Sequence, residues 1–191
     1  ARSLVVEPEI LLLDEPLSAL DAALKVRMQS VLKSLQRETG ITFVYVTHSQ
    51  SEAFSMADRV VIMSRGKIEQ IGTPQQIYRT PRTRFVADFL GSSNLFSGTV
   101  KADPAGRLSI DTPIGTLQIT PDADAPSIGA MATVTVLDTK THLSVERPER
   151  SVNMVPVRLI GEEFVGATAT LYLETMQGQE IRVEKGHEEL A

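Results

Sequence analysis

Four branched apolar residues, residues 10–13, run directly into two adjacent carboxylates, Asp14 and Glu15. An apolar run without polar alternation predicts a strand that is buried on both faces. Because burying an unpaired carboxylate is costly, we expect the two acids at the carboxyl edge of a sheet, where an open α/β sheet meets solvent and ligand. The residues at this point leave open a simpler alternative, a strand that ends in a solvated turn.

The next pattern is helical. It begins after Asp21, which suits a helix N-cap, and it ends at Gly40, which suits a helix C-terminus. Between them, apolar residues recur at a spacing that predicts one apolar face. These residues are Leu24, Met28, Val31, Leu32 and Leu35.

Residues 41–46 are rich in β-branched and aromatic side chains and predict a second strand, which ends just before His48. Strand, helix and strand in this order form a βαβ unit, whose two strands run parallel. Since both strands then end at one edge, we expect Asp14, Glu15 and His48 to meet there.

Short elements follow up to Gly91. Ser49 and Glu52 fit a capping box at the start of a helix, and residues 59–71 predict an antiparallel hairpin that turns at residues 64–67. Two short helices are predicted where a threonine precedes a proline, at Thr73-Pro74 and Thr80-Pro81.

From residue 94 onward the pattern changes to short period-two runs separated by Gly, Pro and Asp. We therefore predict two domains, residues 1–93 and residues 94–191. Many short strands at this spacing favour a small barrel of OB type. The predicted strands lie within residues 95–100, 107–110, 116–119, 132–136, 155–159, 169–173 and 181–183, and residues 177–178 predict a tight hairpin.

Composition narrows the class of protein. With 42% hydrophobic and 23% charged residues, the 191-residue chain is typical of soluble globular proteins, and its lack of cysteine excludes disulfides and thiolate metal sites. Residues 1–93 hold 11 Lys and Arg against 10 Asp and Glu, whereas residues 94–191 hold 8 against 14. An acidic second half argues against nucleic acid as a partner.

Three segments resemble motifs of ATP-binding cassette (ABC) transporter ATPases, in matching order and spacing. Residues 11–16 (Leu-Leu-Leu-Asp-Glu-Pro) resemble the Walker B segment, residues 18–21 (Ser-Ala-Leu-Asp) the D-loop, and residues 46–48 (Val-Thr-His) the switch-histidine loop. Residues 58–96 are similar to the importer branch that serves polyamines, ferric iron and sugars. The resemblance implies a partial P-loop NTPase sheet (α/β) followed by an all-β, transport-associated OB (TOBE) domain.

The resemblance also implies roles for individual residues, with ATP and Mg²⁺ as cofactors. Asp14 would bind Mg²⁺ through water, Glu15 would be the general base or position the water, and His48 would contact the γ-phosphate and hold Glu15. Ser18 would lie at the nucleotide, and Asp21 would reach across a dimer interface. Taken singly, each residue has a structural alternative, such as a helix cap or a satisfied core histidine.

Two departures from the family pattern stand out. Ser49 replaces the Asp that usually follows the histidine, which keeps the N-cap but removes a negative charge beside His48. A phosphate-binding loop of the form Gly-x-x-x-x-Gly-Lys-Ser/Thr does not occur in residues 1–191, nor does the Leu-Ser-Gly-Gly-Gln signature. We therefore expect a C-terminal portion of a longer ATPase, with an unpaired apolar sheet edge and no useful hydrolysis by this chain alone.

Two functions of different classes remain. The first is the ATP-hydrolysing subunit of an importer, a homodimer bound to membrane permease subunits on the cytoplasmic face of the membrane and served indirectly by a solute-binding protein. The second is a non-catalytic regulatory remnant in which only the OB-type half binds a small solute or partner. In that half, residues 161–166 are predicted to connect two strands; together with residues 147–149 they offer a small oxyanion site, but a spacer or dimerisation module is favoured.

Overall fold

The computed structural model describes residues 8–103, 106–121, 126–146 and 152–186. The chain divides into two compact units, residues 1–86 and 87–191. In chain order, the elements are β1 (Ile10–Asp14), α1 (Ala22–Thr39), β2 (Thr42–Val46), α2 (Gln50–Met56), β3 (Val60–Ser64), β4 (Lys67–Gly72), α3 (Pro74–Arg79), α4 (Arg84–Leu90), β5 (Ser93–Ala102), β6 (Leu108–Thr112), β7 (Gly115–Gln118), β8 (Met131–Leu137), β9 (Val157–Val165), β10 (Thr168–Thr175) and β11 (Glu180–Gly186). The class is thus mixed α/β with several antiparallel sheets.

Strands β1 and β2 pair in parallel, with Leu12 opposite Val44 and Asp14 opposite Val46. The parallel βαβ arrangement is therefore confirmed. The prediction that β1 is buried on both faces is wrong, because Leu11 is 9% exposed while Leu12 is 73% exposed. Side chains alternate across a strand, and among the described residues nothing covers the Leu12 face of this two-stranded sheet.

Both ends of α1 are closed as predicted. The Asp21 carboxylate accepts a hydrogen bond from the Leu24 N–H at 3.0 Å. Gly40 lies in the left-handed region at φ 67°, and its N–H donates to the Gln36 carbonyl, as expected of a glycine C-cap. The apolar face of α1 is only partly covered, since none of its described residues is buried.

Strands β3 and β4 form the predicted antiparallel hairpin. Its turn places Arg65 at φ 49° and Gly66 at φ 76°, the pair of positive angles that a type I′ turn requires. The sequence Gly66-Lys67 is thus part of a hairpin and not of a phosphate-binding loop. Beyond it, Thr73 caps α3 in a full capping box with Gln76.

The start of α4 differs from the prediction. Thr80 does not cap a new helix; it ends α3, where its hydroxyl donates to the Gln76 carbonyl at 2.8 Å. Helix α4 begins after Thr83, whose Oγ1 accepts from the Val86 N–H at 3.2 Å. Since α3 extends to Arg79, Thr80 serves the helix that precedes it. The predicted end at Gly91 is confirmed by its φ of 67°.

All seven strands predicted beyond residue 94 are present, in two antiparallel sheets of order β7-β6-β5-β8 and β11-β10-β9. Among the described residues these sheets do not close into a barrel, so the OB fold stays a prediction. A shared core of buried apolar side chains lies in this unit. It comprises Phe96, Ile110, Ile114, Leu117, Leu171, Leu173, Ile181 and Val183.

A polar side chain also joins the two sheets. The Asn94 amide on β5 donates to the Arg182 carbonyl at 2.7 Å and accepts from the Arg182 N–H at 2.8 Å. The Asn94 side chain thereby satisfies both backbone hydrogen-bonding groups of Arg182 in β11, as a neighbouring strand would. Composition and period-two pattern did not reveal this contact, because it joins residues far apart in the sequence.

The predicted connection at residues 161–166 is wrong for most of its length. Residues 161–165 continue β9, and the turn to β10 begins at Gly166, with φ 63°. The hairpin at residues 177–178 is confirmed by the bond from the Gly178 N–H to the Thr175 carbonyl. Residues 147–149 lie outside the described residues.

Candidate active site

The carboxyl end of β1 carries the two predicted acids. Asp14 is the last residue of the strand and is exposed. Glu15 continues the pairing with β2, since its N–H donates to the Val46 carbonyl at 2.9 Å, but its φ is 41°. A left-handed conformation is uncommon for a residue other than glycine and often marks a functional or strained position.

The turn after β2 brings His48 to the same edge. Its Nδ1 lies 3.1 Å from Glu15 Oε1, although 33 positions separate the two residues. Because an ionised carboxylate only accepts hydrogen bonds, this contact fits the tautomer protonated at Nδ1. Both side chains stay open to solvent, with exposed fractions of 76% for His48 and 46% for Glu15. The predicted meeting of strand ends thus holds for this pair.

Ser18 and Asp21 have local roles in the loop after β1. The Ser18 hydroxyl and N–H both bond the Glu15 carbonyl, at 3.0 and 3.2 Å, and so support the left-handed turn. Asp21 holds the first turn of α1, as described above. Their predicted nucleotide and dimer contacts stay predictions.

The sequence pattern missed a buried carboxylate beside this edge. Glu52, on α2, is 4% exposed. It accepts hydrogen bonds from Lys25 Nζ at 3.1 Å, from the Tyr45 hydroxyl at 3.0 Å and from Thr47 Oγ1 at 3.1 Å. One side chain thereby joins α1, β2 and the turn that carries His48. The signal available in the sequence was that Thr47 follows Tyr45 by two positions at the end of the predicted strand, a spacing that directs two side chains to the same side of an extended chain.

These contacts explain why the predicted capping box is only half formed. Ser49 caps α2 by accepting from the Glu52 N–H at 3.3 Å. The Glu52 carboxylate does not return to the Ser49 N–H, which instead donates to Thr47 Oγ1 at 3.0 Å. Lys25 and Tyr45 already bind the Glu52 carboxylate. The Thr47 hydroxyl therefore accepts the hydrogen bond from the Ser49 N–H that a capping box would assign to Glu52.

Burial and hydrogen bonding act on Glu52 in opposite directions. Burial raises the pKa of its carboxyl, but the hydrogen bonds from Lys25, Tyr45 and Thr47 together outweigh burial, so that the pKa is lowered. For the Tyr45 phenol, burial and the neighbouring Glu52 carboxylate both raise the pKa. Glu52 is therefore ionised, and Tyr45 protonated, at neutral pH.

Linkage turns the lowered pKa of Glu52 into a testable prediction. A lowered folded-state pKa adds stability above the ordinary value of 4.5, and that stability is lost as pH falls toward the folded value. Glu52→Gln should therefore destabilise the chain at pH 7, and the difference from wild type should shrink as pH falls below 4.5. Urea midpoints at pH 7 and at successively lower pH test it, with the exposed Glu38→Gln as control. A difference that stays constant with pH would contradict the prediction.

The site can be tested for its fit to Mg²⁺. Among the described residues, no cluster of three or more acidic or histidine side chains could hold a metal ion. Mg²⁺ usually takes only one or two carboxylates and completes its shell with substrate phosphates and water. The exposed carboxylate of Asp14 at the strand end fits such a site.

Comparisons with known proteins add an independent line of argument. No protein-family model matches the chain. Over 185 residues the chain is 43% identical to the spermidine/putrescine import ATP-binding protein PotA of Nostoc sp., a match that covers 96% of the chain and 49% of the relative. The chain is similar to importer ATP-binding subunits.

Two further relatives carry the same name. The protein of Thermobifida fusca is 44% identical over 185 residues, which cover 96% of the chain and 47% of that relative. The protein of Borreliella afzelii is 58% identical over 103 residues, 54% of the chain and 30% of the relative. The chain thus spans about half the length of the curated relatives it matches over nearly its whole extent. The resemblance to importer ATPases of the polyamine type is confirmed; the TOBE assignment stays a prediction.

Proposed function

We propose that this chain carries the water-activating part of the active site in the ATP-hydrolysing subunit of an ABC importer, with a polyamine as the solute class. The observation that carries the proposal is the Glu15–His48 contact of 3.1 Å at the ends of two parallel strands. Similarity to spermidine/putrescine import ATP-binding proteins supports both the nucleotide and the solute class.

In the proposed reaction, Glu15 orients a water molecule and accepts its proton as the water oxygen bonds to the γ-phosphorus and the bond to ADP breaks. The Nδ1–H of His48 donates to the Glu15 carboxylate. The Nε2 atom, on the other side of the ring, would donate to a γ-phosphate oxygen, which requires an imidazole that carries a proton on both nitrogens. Mg²⁺, when bound, would neutralise charge on the phosphate oxygens, and Asp14 would hold it through water. Glu15 has a left-handed backbone, with φ 41°, a conformation that often marks a functional position.

We further propose the assembly and location that this activity needs. Two such subunits would form a homodimer, in which Ser18 and Asp21 face the nucleotide and the second copy, and would bind membrane permease subunits served by a solute-binding protein. The place of action would be the cytoplasmic face of the membrane. In this proposal residues 1–93 belong to the ATPase domain, and residues 94–191 form a TOBE domain of OB type. No α-helix that the structure describes has the length and apolarity to cross a bilayer.

Nucleotide titration tests the proposal. The 191-residue chain and the complete natural protein that carries it are each titrated with Mg-ATP, and phosphate release is followed. Because residues 1–191 contain no phosphate-binding loop, we expect turnover only in the complete protein. A complete protein that neither binds nor hydrolyses ATP would favour the alternative, a regulatory module.

A further inference from the structure

The Glu52 carboxylate does more than fill a buried position. It holds Lys25 on the first turn of α1, Tyr45 on β2 and Thr47 in the turn after β2. A buried charge with fewer partners would be costly, whereas this one is met by a cation and two hydroxyl groups. The carboxylate is therefore a fixed point to which three separate segments are tied.

Thr47 links the buried Glu52 carboxylate to the backbone around His48. Its Oγ1 donates to Glu52 Oε2 at 3.1 Å and accepts from the Ser49 N–H at 3.0 Å. The hydroxyl thus fixes the peptide on both sides of His48, one residue before it and one residue after it. The imidazole itself is largely exposed and meets Glu15 through one described hydrogen bond. Its position must therefore come chiefly from the backbone of this turn.

We propose that Glu52 and Thr47 are positioning residues for His48: the buried carboxylate holds the Thr47 hydroxyl, which sets the turn so that the imidazole reaches Glu15. The proposal deepens the proposed function and rests on it for its catalytic consequence. Neither residue needs to touch nucleotide or water. Small misplacements of a catalytic group, about 1 Å, can lower a rate by about 100-fold.

A plain structural role is the competing explanation, and a matched pair of variants separates the two. Thr47→Val keeps the shape of the side chain and removes the hydroxyl, whereas Thr47→Ser keeps the hydroxyl and removes a methyl group. If packing alone matters, serine should be the more harmful change. If positioning matters, only valine should release His48.

The first readout is nitrogen NMR of the 191-residue chain labelled at histidine, at alkaline pH where an ordinary imidazole is neutral. The chain has three histidines, so His48→Gln assigns the His48 signal by its loss. We expect one tautomer, protonated at Nδ1, in wild type and Thr47→Ser, and the mixed tautomers of a solvated imidazole in Thr47→Val. Glu52→Met, which keeps a similar shape but gives the Thr47 hydroxyl no oxygen to donate to, serves as a second variant and should also release the ring.

The second readout is steady-state ATP hydrolysis by the complete protein. Thr47→Val should lower kcat by about 10- to 100-fold and change KM by less than about twofold, while Thr47→Ser should stay within about twofold of wild type. Identical His48 tautomers in Thr47→Val and Thr47→Ser would overturn the proposal. Absence of hydrolysis in the wild type would instead overturn the proposed function, and the NMR result would still decide whether Thr47 positions the ring.

Discussion

Glu15→Gln is expected to lower kcat for ATP hydrolysis by the complete protein by about 100- to 1,000-fold, while its affinity for Mg-ATP stays within about threefold of wild type. The amide has nearly the same shape as the carboxylate but cannot accept a proton from water. It can still accept a hydrogen bond from His48 Nδ1, which lies 3.1 Å from Glu15 Oε1. The variant therefore removes the proposed proton acceptor and leaves the local geometry in place.

A matched control keeps this prediction specific. Glu38→Gln makes the same chemical change at an exposed position near the end of α1, and it should leave kcat within about twofold of wild type. Phosphate release measures turnover, and equilibrium binding of a nucleotide analogue measures affinity. If Glu15→Gln hydrolyses ATP at the wild-type rate, Glu15 is not the proton acceptor and the proposed mechanism fails.

The local parts of this site could be predicted from sequence because they depend on neighbouring residues. The Asp21 cap, the Gly40 terminus and the order of strand, helix and strand all follow from short-range patterns. The encounter of Glu15 with His48 is long-range, yet it follows from parallel topology, which sends both strand ends to one edge.

What sequence reasoning missed depends on competition between partners. The Ser49–Glu52 spacing predicts a capping box, but the pattern does not reveal that Lys25 and Tyr45 will take the carboxylate. When several donors can reach one acceptor, the tertiary structure decides which of them bind it. The same limit applies to β1, since the apolar character of Leu12 predicts burial only when another layer covers that face.

In the second unit, strand existence was predictable and strand ends were not. The connection predicted at residues 161–166 rested on a resemblance to transport-associated OB domains. Although glycine is uncommon inside strands, Gly161 pairs with Tyr172 within the sheet. The register shift between Tyr172 and Leu173 shows that the ladder is irregular at this point, where a glycine is easily accommodated. A glycine in a strand-like sequence can therefore mark either the end of the strand or a position where another part of the backbone comes close. The contacts of the glycine in the folded structure distinguish these two cases.

Gly98 is the site of close approach in this unit. It lies in the part of β5 that pairs with β8, one residue before the segment that pairs with β6. A methyl group added at Gly98 would lie 2.1 Å from the Asp111 carbonyl oxygen and 2.7 Å from its carbon, both of them backbone atoms. Backbone atoms cannot avoid the clash by changing rotamer, so β6 must move away from β5.

We therefore expect Gly98→Ala to destabilise the second unit by about 3 kcal/mol. Gly161→Ala is the matched control, because an added methyl group there would meet only Tyr172 side-chain atoms, at 3.8 Å, an ordinary van der Waals distance. Alanine also restricts the unfolded chain more than glycine does, so Gly161→Ala should change stability by less than about 1 kcal/mol. Urea denaturation followed by circular dichroism, with hydrogen exchange of the β5 amides, measures both variants. Equal stability of the two would show that β5 and β6 have room between them, contrary to the packing of Gly98 against Asp111.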